Sequence, residues 1–304
     1  MNLEKKEPVI GFLCAFGAFV TWGVLAIYWS FLFHLPALTI LSYRILWSWV
    51  FVALIIALGQ RWGAMRGVFG NRRALLLTVL SGVIINLNWG IYIYAITIGK
   101  VMEASMGYYM NPLVNAFFGA LFFGERMRRL QKAAIFLAFV GVSYMVLGYG
   151  AFPVFAVSMA LTFAAYGALH KFVKMGVFES MFCEMSVTVL PACAYLLLFS
   201  AGPSFLSEAP SMMLLIAVSG PITVLPLMGF AAAVKRLSLT TVGVIQYVSP
   251  TITFFCAVFY FKEPVNRELL TVFCFIWAGV ALYLFDGLAY RRFIQKQTYM
   301  KSQD

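Results

Sequence analysis

Tyr108-Tyr-Met-Asn-Pro112-Leu-Val-Asn115-Ala-Phe-Phe-Gly-Ala-Leu-Phe-Phe-Gly-Glu125 returns in outline 138 residues later as Gln246-Tyr247-Val-Ser-Pro250-Thr-Ile-Thr253-Phe-Phe-Cys-Ala-Val-Phe-Tyr-Phe-Lys-Glu263. Each copy is an apolar run with a proline at the same place and a glutamate at its end. The match extends without gaps from Ser81–Gly148 to Ser219–Asp286. Ser81-Gly82 meets Ser219-Gly220, Arg129 meets Arg267, and Gly141-Val142 meets Gly279-Val280. Apolar chains resemble one another by chance. Matched Pro, Glu, Arg and Gly do not arise so easily, so the chain reads as an internal duplication.

The medium follows from composition. Of 304 residues, 63% are hydrophobic and 11% charged, against about 25% charged in soluble domains. A span needs about 20 mostly apolar residues. Ten are read, at about 9–32, 37–59, 73–96, 101–123, 130–149, 153–170, 180–200, 211–234, 239–261 and 267–288. The first is too long for the roughly 7–15-residue core of a signal peptide and is taken as retained. The fold class is therefore an all-α polytopic membrane protein of ten transmembrane helices. Residues 1–149 form a first five-helix repeat and 150–304 a second.

Charge sets the orientation. With the N-terminus cytoplasmic, eighteen of the 22 Lys and Arg residues lie inside, Lys100, Lys262 and Arg267 lie outside, and Arg44 falls within a span. The positive-inside rule then places both termini in the cytoplasm, and the expected setting is a bacterial inner membrane. The net charge of +11 is accounted for by these loops and gives no reason to invoke nucleic acid. Five spans per copy is an odd number, so the second copy enters the membrane inverted. The basic loop after the fourth span (Arg126, Arg128, Arg129, Lys132) opposes a nearly neutral one after the ninth (Lys262, Glu263, Arg267, Glu268). Inverted repeats recur in secondary transporters, where two similar halves rock about a central site.

Enzyme signatures are missing: no phosphate-binding Gly-x-x-x-x-Gly-Lys-Ser/Thr, no His-Glu-x-x-His, no Gly-x-Ser-x-Gly. Two histidines and five cysteines without a Cys-x-x-Cys pair give neither a metal site nor a disulfide framework. No cofactor is called for, and the reading is not an enzyme.

Candidate site residues are the polar, aromatic and helix-breaking positions inside spans. Pro112 and Pro250 each free the carbonyl four residues earlier, those of Tyr108 and Gln246, and predict helix breaks at matched depths. Glu103, Asn111 and Asn115 share a stripe on the fourth span, with Tyr108 and Tyr109 beside them. Asn88, Trp89 and Tyr92 stand on the third span, Tyr166 and His170 on the sixth, and Gln246 and Ser249 on the ninth. Their alternative use is to join helices by hydrogen bonds. Intramembrane charges default to a functional reading. Arg44 lies about 10 Å deep from the outside at 1.5 Å per residue and is expected to approach Glu103. Glu184 roughly matches Arg44 in the duplication, with His170 or Lys171 as its partner. Snorkelling is the alternative for Arg44. Small residues in the fifth span (Ala134, Ala138, Gly141) and tenth (Ala278, Gly279) mark close packing, either between the halves or at a dimer face.

The stretch Glu103–Asn115 with Gly124-Glu125-Arg126, the run Tyr43-Arg44-Ile-Leu-Trp47-Ser48, and Gln246–Thr251 with Glu263 resemble the EamA family of the drug/metabolite transporter superfamily, over nearly the whole chain. The resemblance implies ten helices, cytoplasmic termini and a central cavity lined mainly by the first, third, fourth, sixth, eighth and ninth spans. It also implies carrier-type transport, often export, of metabolites or drugs. The function expected is a secondary transporter, exporting small organic metabolites such as amino acids or amphipathic aromatic compounds by alternating access. The alternatives are a broad-specificity exporter of chloramphenicol-like drugs and, last, a membrane enzyme or scaffold. Expected partners are lipid and a small-molecule substrate, with monomer and homodimer both open.

Overall fold

The computed structural model describes residues 3–32, 34–98, 100–199, 205, 208–262 and 267–300. Every regular element in them is helical: α1 Leu3–Ser30, α2 Ala37–Leu58, α3 Trp62–Gly70, α4 Arg72–Thr97, α5 Val101–Phe123, α6 Arg129–Tyr149, α7 Val154–Phe172, α8 Val177–Leu198, α9 Pro210–Val234, α10 Leu239–Gln246, α11 Val248–Phe255 and α12 Arg267–Met300. The helices follow from the medium, because a backbone in hydrocarbon must satisfy its own N–H and C=O groups. Among the described residues, nine helices are long and apolar enough to cross a bilayer. Helix α5 has 23 residues but carries Glu103, Asn111 and Asn115. Apolar side chains face outward as readily as inward: Leu58 is 82% and Leu197 83% exposed, which suits lipid and not water.

The loop after the second span holds a short helix, α3, whose Met65 is buried in the main core. One expectation is corrected: Pro112 does not interrupt α5, which runs unbroken through it. One ladder bond is lost there, but α10 holds the helix closely: a Cβ on Gly243 would lie 2.9 Å from the Pro112 carbonyl. The second copy does break. Helix α10 ends at Gln246, α11 restarts at Val248, and Pro250 offers no N–H to the Gln246 carbonyl. A π-helical turn, Cys256–Tyr260, follows. Glu263, the sequence counterpart of Glu125, lies outside the described residues.

The packing exchanges the two copies. Helix α5 packs on α7, and α1 on α10 and α11; α4 packs on α7, and α1 on α9; α4 packs on α8, and α2 on α9. The pairs α2–α8, α5–α10 and α6–α12 map onto themselves. The Tyr247 hydroxyl donates to the carbonyl of Tyr109, its own counterpart, at 3.3 Å. One core joins Phe19 of α1, Ile56 of α2, Ile85 of α4, Met185 of α8 and Phe230 of α9. Neither copy has a core of its own.

The small-residue stripes pack within the chain. A Cβ on Gly279 would lie 2.6 Å from the Ala134 carbonyl, and one on Gly141 would lie 3.2 Å from that of Val272, the Ala134 counterpart. Close approach of α6 and α12 thus requires glycine on both. Gly279→Val is expected to destabilise the protein by about 1–3 kcal/mol through overpacking. Gly17→Ala, whose added carbon meets nothing within 4 Å, should not. Unfolding midpoints in detergent check the pair.

Candidate functional site

Arg44 sits two turns into α2, whose start is fixed by Pro36. A guanidinium at this depth must find partners or be expelled to the interface. Its Nε–H donates to the Thr223 hydroxyl of α9 at 3.2 Å. Its central carbon lies 4.6 Å from the Trp29 ring centre and 5.0 Å from that of Trp89. Electrostatically it is coupled to the Tyr28, Tyr92 and Tyr108 hydroxyls. Among the described residues no carboxylate pairs with it. Arginine has five N–H donors, and among the described residues one of them, on Nε, has a hydrogen-bond partner. Tyr108 lies edge-on to Tyr92 at 5.9 Å and is 43% exposed. One turn further along α5, the Asn111 side-chain oxygen is buried without a donor.

The expected Arg44–Glu103 approach is corrected. Glu103 is taken by Lys100 at 3.3 Å, the Tyr149 hydroxyl at 3.1 Å and the Phe155 N–H at 2.7 Å. It caps the start of α7, where unsatisfied N–H groups and the helix dipole favour a carboxylate.

The other named residues divide between helix ties and a second cluster. Asn88 donates to the Met159 carbonyl and the Thr162 hydroxyl, both at 2.8 Å, joining α4 to α7. Asn115 donates to Gln246 at 2.9 Å, joining α5 to α10. Tyr109 stacks edge-on against Phe273, and the Ser249 carbonyl lies where a Cβ on Gly23 of α1 would press at 2.9 Å. Tyr166 is fully buried and donates to Glu184 at 3.0 Å, while Ser180 donates to the other Glu184 oxygen at 2.7 Å. His170 Nε2 approaches that oxygen to 2.9 Å, off the hydrogen-bond direction, and neither His170 nitrogen has an aligned partner. Glu184, His170 and Tyr166 have no exposed surface. Of the two partners considered for Glu184, His170 is the one in contact.

Lys171 instead reaches Glu125 at 3.0 Å, past the end of α5. Glu125 also accepts from the Leu239 and Thr240 N–H groups, at 2.7 and 3.0 Å, and from the Thr240 hydroxyl at 2.8 Å. One carboxylate therefore holds the first turn of α10 and the last of α7. Burial raises its pKa, but the Thr240 and Leu239 N–H groups, Lys171 and the Thr240 hydroxyl outweigh that and hold it below the usual range. A lowered carboxylate contributes stability above its unfolded pKa of about 4.3 and loses it as pH falls through the lower folded value. Glu125→Ala is expected to cost about 2 kcal/mol or more. Detergent unfolding from pH 7 to pH 3 should fall more steeply for the native protein than for Glu125→Gln. Equal slopes would detach this carboxylate from the tie. The same end of the molecule carries Arg61–Glu179 at 2.8 Å, and Lys235 donating to the Met175 carbonyl at 2.8 Å.

Trp29, Thr223 and the role of Glu125 were not read from the sequence. Trp29 adjoins Tyr28, and Thr223 lies between Pro221 and Pro226. Glu125 was visible as a repeated residue and as part of the family-like motif Gly124-Glu125-Arg126, without a role.

The profile of the EamA-like transporter family matches residues 9–147 and again 152–285. A Streptomyces exfoliatus protein named RarD is 38% identical over 93% of this chain and 91% of its own. A Vibrio cholerae protein named as an uncharacterized transporter is 35% identical over 95% and 96%. A solved protein crystal structure aligns with a TM-score of 0.70 over 90% of this chain and 96% of that one. At 19% identity it shows the fold alone.

Proposed function

Because the chain belongs to the EamA-like transporter family, and is a multi-pass bacterial membrane transporter, we propose that it is a secondary carrier for small carboxylates with an aromatic or apolar part, amino acids included. The observation that carries this reading is the Arg44 guanidinium, held between Trp29 and Trp89 with no carboxylate of its own among the described residues. A substrate carboxylate completes that site with a charge-assisted, potentially bidentate pair. Trp29, Trp89, Tyr92 and Tyr108 give its ring a stacking surface. The buried Asn111 oxygen suits an ammonium donor.

The transport cycle proposed is alternating access, with α5 as a tenth span and the second copy inverted. The exchange of packing partners between the copies supports it. With the basic end in the cytoplasm, as the loop charges favour, the Glu125 tie closes the inner side and substrate is exported across the inner membrane. Glu184 and His170 are the proposed proton-carrying pair, because a buried carboxylate and imidazole in contact change charge when one proton moves. The ionisable groups around Glu184 are Tyr166 and His170 on α7, Cys183 and Glu179 on α8, and Lys235 after α9. From α4, Gly82 packs against the Glu184 backbone. No catalysis is assigned.

The test is ligand stabilisation of the purified protein in detergent. Aromatic amino acids and aryl carboxylates should raise the unfolding midpoint, and the matching amines and amides should not. Stabilisation by neutral, chloramphenicol-like compounds with none from carboxylates would transfer the site to the drug-exporter reading.

A further inference from the structure

A second recess lies at the basic end, away from Arg44. It has a volume of about 460 Å³ and forms between the start of α4 and the end of α7. Arg73, Lys171 and Lys174 line it together with Asn71, and Leu77 and Phe172 form an apolar wall. Three cations thus face one space. The carboxylate paired with them is Glu125, through the Lys171 ammonium. Lys171 has three N–H donors, so it can hold Glu125 and a second acceptor at once. Phe172 is 49% exposed at the rim. The recess sits where two spans leave the hydrocarbon, the level at which lipid phosphates lie, and basic recesses between spans favour anionic headgroups there.

We propose that this recess binds the phosphate of an anionic phospholipid headgroup, and that the bound phosphate shares Lys171 with the Glu125 tie. Arg73 and Lys174 supply the remaining charge, and Leu77 and Phe172 cover the glycerol and upper acyl segment. A free phosphate ion has the same charge but makes no use of the apolar wall, so lipid is the source the site favours. Lipid occupancy draws the Lys171 ammonium toward the headgroup and loosens the contact that joins α5, α7 and α10. Placement in the inner leaflet rests on the orientation proposed above; binding itself does not.

The experiment titrates purified full-length protein in detergent with short-chain phosphatidylglycerol, short-chain phosphatidylcholine, glycerol phosphate and inorganic phosphate, and follows the unfolding midpoint. Phosphatidylglycerol should raise the midpoint at concentrations where phosphatidylcholine does not. The double variant Arg73→Gln, Lys174→Gln changes two exposed side chains, so folding is preserved. It should bind about tenfold more weakly or worse. Glu125→Gln frees Lys171 and should bind more tightly than native protein. Equal response of the native protein and the double variant overturns the site. A full response to inorganic phosphate keeps the site but overturns its lipid source. Unchanged affinity in Glu125→Gln overturns the sharing of Lys171.

Discussion

Arg44→Ala should reduce carrier activity in proteoliposomes by about 30-fold or more while leaving the fold intact. A paired, desolvated carboxylate–guanidinium contact is worth about 2–5 kcal/mol when one partner is truncated, and each 1.4 kcal/mol is tenfold. Folding depends on Arg44 far less, since its described ties are one hydrogen bond to Thr223 and the faces of Trp29 and Trp89. Arg44→Lys is the sharper variant. It retains charge but has no planar fork to pair bidentately and no flat face to lie between two indoles. It should therefore rescue little. Uptake at native levels in either variant would remove Arg44 from the site.

Glu184→Ala should have the opposite profile, with the larger effect on stability. It strips the partner from His170, Tyr166 and Ser180 in a place with no exposed surface. Breaking a buried pair by removing one member costs about 3–5 kcal/mol. Glu184→Gln keeps the shape and can still accept a hydroxyl hydrogen bond, but it cannot exchange a proton. Its unfolding midpoint should lie near the native value while the pH dependence of its transport flattens. A Gln variant with the native pH profile would assign Glu184 to structure and leave proton coupling to another group.

The membrane class and nine of the expected spans were legible because they rest on patterns many residues long. Hydropathy runs survive local error. The break after Gln246 was legible from Pro250, whereas Pro112 gave the same signal and α5 runs through it unbroken. The sequence put Arg44 about seven residues into its span and Glu103 at the start of its own, both entered from the same side. It did not say which way each side chain points around its helix axis. Glu103 is claimed by the start of α7, and Arg44 turns toward α9. Asn88, Asn115 and Gln246 show the same limit. An amide inside a span must hydrogen-bond, and nothing in its own sequence neighbourhood separates a neighbouring helix from a cavity. Trp29 and Thr223 became visible as site residues only once three spans distant in sequence came together around one guanidinium.

Counterflow tests the central claim most directly. Proteoliposomes are preloaded with an unlabelled aromatic amino acid or aryl carboxylate at high concentration and diluted into a trace of the labelled compound, with no ion gradient. A carrier with one site exposed alternately to each side predicts transient accumulation of label above the outside concentration in preloaded vesicles. Empty vesicles and vesicles preloaded with the corresponding amine should show none. Label that only equilibrates, whatever the preload, across a broad panel of carboxylates and with protein shown to be folded, would contradict the account.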